Sequence, residues 1–86
     1  MNLIFAKSSQ NYGISDEECI SLIDNNQSFA VGLSREGNKK IAWVGFDKFG
    51  TRLECIEIVF IDSLYIMHLK PVDPKEDIDE IKSRLW

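Results

Sequence analysis

The chain has 86 residues, a formal net charge of −4 at pH 7 and a sequence pI near 4.8. A chain of this length makes one domain with a small apolar core, so we expect a single domain over residues 1–86. The acidic balance disfavours strong general affinity for phosphate backbones, because that affinity grows with the number of cations in contact. Any nucleic-acid site must therefore be local.

The N-terminus and the cysteines bear on the cellular compartment. The segment MNLIFAKSSQ has one positive charge and a short apolar run, which does not fit a secretory signal peptide. No apolar stretch approaches the roughly 18 residues that a membrane span requires. Cys19 and Cys55 are too few for a disulfide framework and lie in apolar patterns, so we expect reduced core cysteines. These features predict a cytoplasmic protein.

The first part of the chain predicts one helix. Residues 1–5 fit a short edge strand or a lead-in, and a polar loop follows. Ser15, with Glu18 three positions later, has the pattern of a capping box, in which each residue accepts a hydrogen bond from the other's backbone. An apolar stripe comes next, and Asp24-Asn25-Asn26 ends the helix.

Four antiparallel strands and a second helix are predicted after it. The first two strands are residues 28–34 and 40–47, and residues 52–70 form two longer strands joined at Asp62-Ser63. The strand after Arg52 is apolar at both parities, so we place it at the centre of the sheet. The pattern Asp73-Pro74-Lys75-Glu76 predicts the start of a C-terminal helix. The expected fold is α+β, a helix followed by a four-stranded antiparallel sheet and a final helix.

The two predicted hairpins align several charged residues. With tips at Lys48-Phe49 and Asp62-Ser63, Lys40, Glu57 and His68 form a row across three strands, with Lys70 further along the same face. A cation, a carboxylate and an imidazole in line can move a proton beside a phosphate. The same row is also what a purely structural charge ladder looks like.

The opposite face is expected to carry Trp43, Arg52 and Glu54 above an apolar surface. Two short helices do not obviously cover both faces of a sheet, so one face is a candidate for contact with a partner or a second copy. One histidine and two distant cysteines do not make a closed zinc site, and no phosphate-binding glycine loop is present. We therefore expect no metal and no cofactor.

Three segments resemble the BrnT-like toxins of bacterial toxin-antitoxin pairs. They are NYGIS-DEECISLIDN, AWVGFDKFGTRLECIEIVF and LYIMHLKPV, which together cover most of the chain up to Val72. In that family a "KHGI" segment precedes a helix, a "GfxxxGxxLEV" hairpin follows, and a late strand ends in "IHAMP". The chain departs from the pattern at Asn11-Tyr12, where the family has a basic pair, and at Asp73, where a basic residue is common.

The resemblance implies a RelE-like fold, ribonuclease activity on mRNA and neutralisation by a cognate antitoxin. His68 and Glu54 occupy matching motif positions and are the first candidates for catalytic residues. Cleavage would proceed without metal by attack of the ribose 2′-hydroxyl, with His68 as acid or base and Glu54 or Glu57 as its partner. The residues expected to hold the phosphate or RNA are Lys40, Lys70 and Arg52.

Two other functions stay open. The departures from the family pattern leave room for a degenerate toxin that has lost the nuclease step. The acidic charge also fits a protein of another class, a non-catalytic inhibitor or immunity-type protein that binds a basic protein partner, because complementary charge speeds such association.

Overall fold

The computed structural model describes residues 2–85 and has the α+β architecture expected from the sequence. Its strands are β1 (Asn2–Phe5), β2 (Phe29–Leu33), β3 (Lys39–Phe46), β4 (Arg52–Val59) and β5 (Ser63–Pro71). Its α-helices are α1 (Asp16–Asn25) and α2 (Ile78–Leu85), and a 3-10 helix, Lys7–Gln10, follows β1. Within these residues, neither helix is long enough and apolar enough to cross a membrane.

The strands form one mixed sheet in the order β1-β5-β4-β3-β2. The predicted order, a helix followed by four antiparallel strands, is wrong in one element. A fifth strand, β1, precedes α1 and pairs parallel to β5. A strand of four residues carries little pattern of its own. Its place is fixed instead by Leu3 and Phe5, which pack against the main apolar core. Met1, the first residue of the predicted lead-in, lies outside the described residues.

Helix α1 covers one face of the sheet, here called the α1 face. The predicted capping box is confirmed, since the Glu18 amide donates to Ser15 Oγ and the Ser15 amide donates to Glu18 Oε1. The expectation of reduced core cysteines is also confirmed, because Cys19 and Cys55 are both free and buried. The buried residues of this core are Cys19, Leu22, Trp43, Leu53, Cys55, Ile66 and Leu69.

Helix α2 covers part of the other face, the α2 face. It begins at Ile78, later than the predicted start at Asp73, whose carboxylate and carbonyl instead accept the Lys75 and Glu76 amides in a separate turn. Asp77 stands before the helix and its carboxylate accepts the Asp79 amide. With eight residues, α2 spans about 12 Å and leaves much of the sheet uncovered. The buried residues of this second core are Val31, Ala42, Val72, Ile81 and Leu85.

The end of α1 touches β3 at a glycine. A Cβ placed on Gly45 would lie 2.0 Å from Asn26 Oδ1, so no larger residue fits while Asn26 stays in place. Asn26 is held there because its Nδ2 donates to the carbonyls of Leu22, at the end of α1, and of Phe46, on β3. The absence of a side chain at position 45 thus permits a hydrogen-bonded link between helix and sheet.

We expect Gly45→Ala to lower the free energy of unfolding by about 1–3 kcal/mol, since the new methyl group must displace Asn26 and break its two hydrogen bonds. Chemical denaturation measures the loss. In an Asn26→Ala background the same substitution should cost clearly less, because the clashing amide is gone. Equal costs in both backgrounds would contradict this explanation.

Candidate functional site

The observed hairpins shift the predicted row of charges. The β3–β4 loop holds three residues, Lys48–Gly50, because the Asp47 amide donates to the Thr51 carbonyl and Gly50 adopts a φ of +83°. Lys40 therefore lies opposite Ile58 rather than Glu57. The β4–β5 turn has its tip one residue earlier than predicted, since the Phe60 amide donates to the Ser63 carbonyl.

A β-bulge in β5 then changes which side chains share a face. Glu57 pairs with Ile66 and Ile56 pairs with His68, so Met67 has no partner on β4. At such a bulge, two consecutive side chains emerge on the same side of the sheet. The predicted row of Lys40, Glu57 and His68 is therefore wrong. His68 lies on the α2 face, whereas Glu57 lies on the α1 face.

The bulge brings His68 next to Glu54. The register predicted from the two hairpin tips had placed these two residues on opposite faces of the sheet. Glu54 is fully buried on the central strand β4. Its Oε2 lies 2.6 Å from His68 Nε2, and the imidazole side chain keeps 34% of its surface exposed. Arg84 Nη1, from α2, donates to the same Oε2 at 3.0 Å and lies 2.8 Å from Oε1. Glu54, His68 and Arg84 form the candidate site.

The protonation of this cluster follows from its contacts. Burial alone would raise the pKa of Glu54, but hydrogen bonds from His68 and Arg84, together with their charge, outweigh it and hold the pKa below its ordinary value. The carboxylate is then ionised at neutral pH and can only accept hydrogen bonds. His68 Nε2 must therefore carry a proton, and in the neutral ring Nδ1 is left as the basic nitrogen. Residues 2–85 offer Nδ1 no hydrogen-bond partner.

Other cations surround the cluster. Lys70 is the cross-strand partner of Glu54 and lies on the same face as His68, two residues further along β5. Arg52 is also on the α2 face, but its Nη1 donates to the carbonyls of Asp73, Pro74 and Glu76 and so fastens the segment before α2. Lys70 is thus the better placed of the two to contact a phosphate beside His68.

Lys40 is further away. Lys40 is on β3 and His68 on β5, two strands apart, and their positions differ by two residues along the strands. The usual strand spacing and rise then put their Cα atoms about 12 Å apart. The structure thus brings together four of the six predicted site residues, Glu54, His68, Lys70 and Arg52, keeps Lys40 at a distance on the same face, and separates Glu57 from all of them.

Arg84 was not among the residues predicted from the sequence. It contacts Glu54 through Nη1, and its Nη2 lies 3.2 Å from Glu76 Oε2, so it links the loop before α2 to the sheet. A usable signal existed, because Arg84 follows Ile81 by three positions and borders the apolar stripe of α2. A cation at the border of a buried helix face is a natural partner for an acid buried in the facing strand.

Glu57 is a second buried carboxyl, in a different environment. It has no exposed surface, its Oε1 lies 4.0 Å from Cys55 Sγ, and its Oε2 has no hydrogen-bond partner. Burial without an ionic partner raises the pKa of Glu57 to about 7. The Cys55 thiol beside it has a raised pKa as well, owing to a hydrogen bond with Cys19 and to burial. The Cys55 thiol is consequently a poor nucleophile.

The comparisons with known proteins add no relative. No protein-family model, curated protein or solved structure matches this chain. Within residues 2–85, no three histidine, cysteine, aspartate or glutamate side chains are grouped so as to hold a metal ion. The features of the chain that bear on function are therefore the cluster of Glu54, His68 and Arg84 and the segments that resemble the BrnT-like pattern.

We expect Glu57 to make stability fall as pH rises from about 4.5 to about 7. The unfolded chain releases this proton near the ordinary pKa of 4.5, whereas the folded protein keeps it up to about 7, so raising the pH favours unfolding. The loss should be about 3 kcal/mol across that range.

Glu57→Gln should flatten this part of the profile, because the amide has the same shape and does not ionise. Urea denaturation at a series of pH values measures the effect, with the exposed residue Glu36 changed to Gln as control. A profile for Glu57→Gln that declines as steeply as that of the control would refute the raised pKa.

Proposed function

We propose that this protein is a small cytoplasmic ribonuclease with a RelE-like fold, the toxin component of a bacterial toxin-antitoxin pair, and that it cleaves mRNA without a metal ion. The observation that carries the proposal is the hydrogen bond between His68 Nε2 and Glu54 Oε2, 2.6 Å long. It joins the two residues that stand at the "LEV" and "IHAMP" positions of the BrnT-like pattern, although they are 14 positions apart in the chain.

The arrangement suits general base catalysis. Glu54 fixes the imidazole through Nε2 and stabilises the positive charge that forms when the ring takes up a second proton. His68 Nδ1 accepts the proton of the ribose 2′-hydroxyl, and the 2′-oxygen forms a bond to the adjacent phosphorus. The bond from phosphorus to the 5′-oxygen of the next nucleotide breaks, giving a 2′,3′-cyclic phosphate. The leaving oxygen takes a proton from water, and His68 later returns its proton to solvent.

Cations at the cluster suit the charge of this reaction. Negative charge accumulates on the phosphate oxygens as the pentacoordinate phosphorus forms, and fixed cations stabilise it. Lys70 lies beside Glu54 on β5, and among residues 2–85 its ammonium group makes no hydrogen bond or ion pair. Arg84 is partly neutralised by Glu54 and Glu76, so Lys70 carries most of this role in the proposal.

An antitoxin is the partner that this proposal requires. A protein that cleaves mRNA in its own cell must be held inactive, and the resemblance to BrnT-like toxins supports a cognate protein that does so. The α+β architecture, in which α1 precedes β2 to β5 and α2 follows them, supports the RelE-like classification. The acidic net charge of −4 is the chief departure from such toxins, and it makes the local group of cations at His68 the decisive feature.

Replacing His68 with Ala, or Glu54 with Gln, should abolish growth arrest and mRNA loss when the protein is expressed from an inducible promoter in bacteria. With purified protein, we expect the rate of RNA cleavage to fall at least a hundredfold, since general base catalysis contributes about 10²–10⁴-fold. Cleavage should also stop when the RNA carries 2′-deoxyribose, because the attacking hydroxyl is then missing.

Glu17→Gln is the matched control for Glu54→Gln, since Glu17 is an exposed acid of α1 that pairs with Lys48 at the surface. It should leave growth arrest and cleavage unchanged. Circular dichroism must establish that each variant is folded. A soluble wild-type protein that leaves growth and RNA intact, or a folded His68→Ala variant as active as wild type, would refute the nuclease proposal.

A second candidate function is that of a non-catalytic inhibitor or immunity-type protein. The observation in its favour is the number of exposed acids at two places, the start of α1 and the segment around α2. They are Asp16, Glu17, Asp73, Asp77, Asp79 and Glu80. Such surfaces attract a basic protein, and the association rate should then fall steeply with salt. Capture of a basic protein by a chain without nuclease activity would favour this function.

A further inference from the structure

The part of the α2 face that α2 leaves uncovered contains a groove of about 360 Å³. It lies between the β2–β3 turn and the bulge of β5, and its lining includes Leu33, Arg35, Glu36, Lys40, Ile58 and Met67. The groove is distinct from the cluster of Glu54, His68 and Arg84, whose residues do not line it. Its floor is apolar and two cations stand at its border.

The size and charge of the groove favour a small anionic ligand. Its volume is near the lower end of the range of about 300–1,000 Å³ for small-molecule sites, which suits one nucleotide better than a folded partner element. Ile58 and Met67, both in the lining, offer an apolar surface for a base. Lys40 and Arg35 can pair with phosphate, against the single acid Glu36.

The groove adjoins the candidate site through the bulge. Met67, in its lining, precedes His68 in the chain, and the bulge directs both side chains to the α2 face. Lys40 is about 12 Å from His68 by the sheet spacing, a distance of one to two nucleotides along an extended strand. A single-stranded RNA whose phosphate lies at His68 can therefore place a neighbouring nucleotide in the groove.

We propose that this groove binds one nucleotide of single-stranded RNA, next to the phosphate that is cleaved, with its base on Ile58 and Met67 and its phosphate on Lys40 and Arg35. The position relative to the cleaved bond rests on the proposed function. Binding of the nucleotide itself does not, since it depends only on the apolar floor and the two cations. The groove would then give the enzyme its preference for the base beside the cleavage position.

The test compares two neighbouring lysines. Lys40 and Lys39 are adjacent on β3, and their side chains emerge on opposite faces, so Lys40→Glu and Lys39→Glu change the net charge equally but only the first alters the groove. The probes are fluorescein-labelled decamers of uridylate and of adenylate with 2′-O-methyl ribose, which cannot be cleaved by 2′-hydroxyl attack. Fluorescence anisotropy at low salt measures their dissociation constants.

We expect Lys40→Glu to weaken binding at least fivefold and to reduce the slope of log affinity against log salt by about 1, as loss of one phosphate contact does. Lys39→Glu should change binding less than twofold. Circular dichroism identifies an unfolded variant, and Lys40→Gln replaces Lys40→Glu in that case. In a ¹⁵N-labelled sample, the probe should shift the amide signals of the groove and leave those of α1 unchanged.

The outcomes separate this inference from the proposed function. Probe binding that depends on Lys40, without cleavage of ordinary RNA, would support the groove and refute the nuclease. If the wild-type protein cleaves RNA but Lys40→Glu and Lys39→Glu weaken decamer binding equally, the nuclease proposal is supported and the groove proposal is overturned. The groove proposal is also overturned if neither decamer binds. It is overturned as well if a decapeptide of glutamate binds as tightly as the decamers and its binding depends on Lys40 to the same extent.

Discussion

A carboxylate buried in the middle strand of the sheet governs the organisation of this protein. Removing an ionised group from water costs several kcal/mol, so Glu54 is compatible with a stable fold only if cations and hydrogen-bond donors surround it. His68 supplies one donor from β5 and Arg84 supplies the other from α2. Helix α2 buries Ile81 and Leu85 against the sheet, and its ion pair with Glu54 is a second, polar contact between the two. The same contacts that satisfy the carboxylate orient the imidazole, so structural and chemical roles coincide in one group.

The two buried acids of β4 show how neighbours decide the state of a group. Glu54 and Glu57 are three positions apart on one strand and are both fully buried, yet they face opposite sides of the sheet. Glu54 meets two cationic partners and its pKa is lowered. Glu57 meets a thiol and apolar side chains, and its pKa is raised to about 7. One strand thus contributes an ionised carboxylate to a partly open site and, to a closed core, a carboxyl group that keeps its proton up to about pH 7.

The parts of this structure that depend on local sequence could be predicted, and the parts that depend on pairing between strands could not. The capping box of α1 involves residues three positions apart, and the extents of β2 to β5 follow from apolar runs between turns. Strand register is different, because a single residue added at a turn or bulge moves side chains to the other face. The extra residue Met67 leaves no mark in the hydrophobic pattern of β5. The sequence after Asp47 fits a two-residue loop as well as a three-residue loop, and the two differ only in whether Gly50 pairs with Asp47 or lies within the loop. The pair Glu54 and His68 was reached through the resemblance to a family, whereas Arg84 required knowledge of where α2 lies.

The parallel strand at the edge of the sheet has a consequence for how the chain folds. β1 pairs with residues about 60 positions later, whereas β2 to β5 join through short hairpins, so closing the β1–β5 contact costs the most chain entropy and we expect it to form last. Until then the outer edge of β5, with Leu64 and Ile66, is an unpaired strand next to uncovered apolar surface. Free edges of this kind template pairing between chains. The four residues of β1 therefore cover an edge of β5 that would otherwise be open to pairing with another chain.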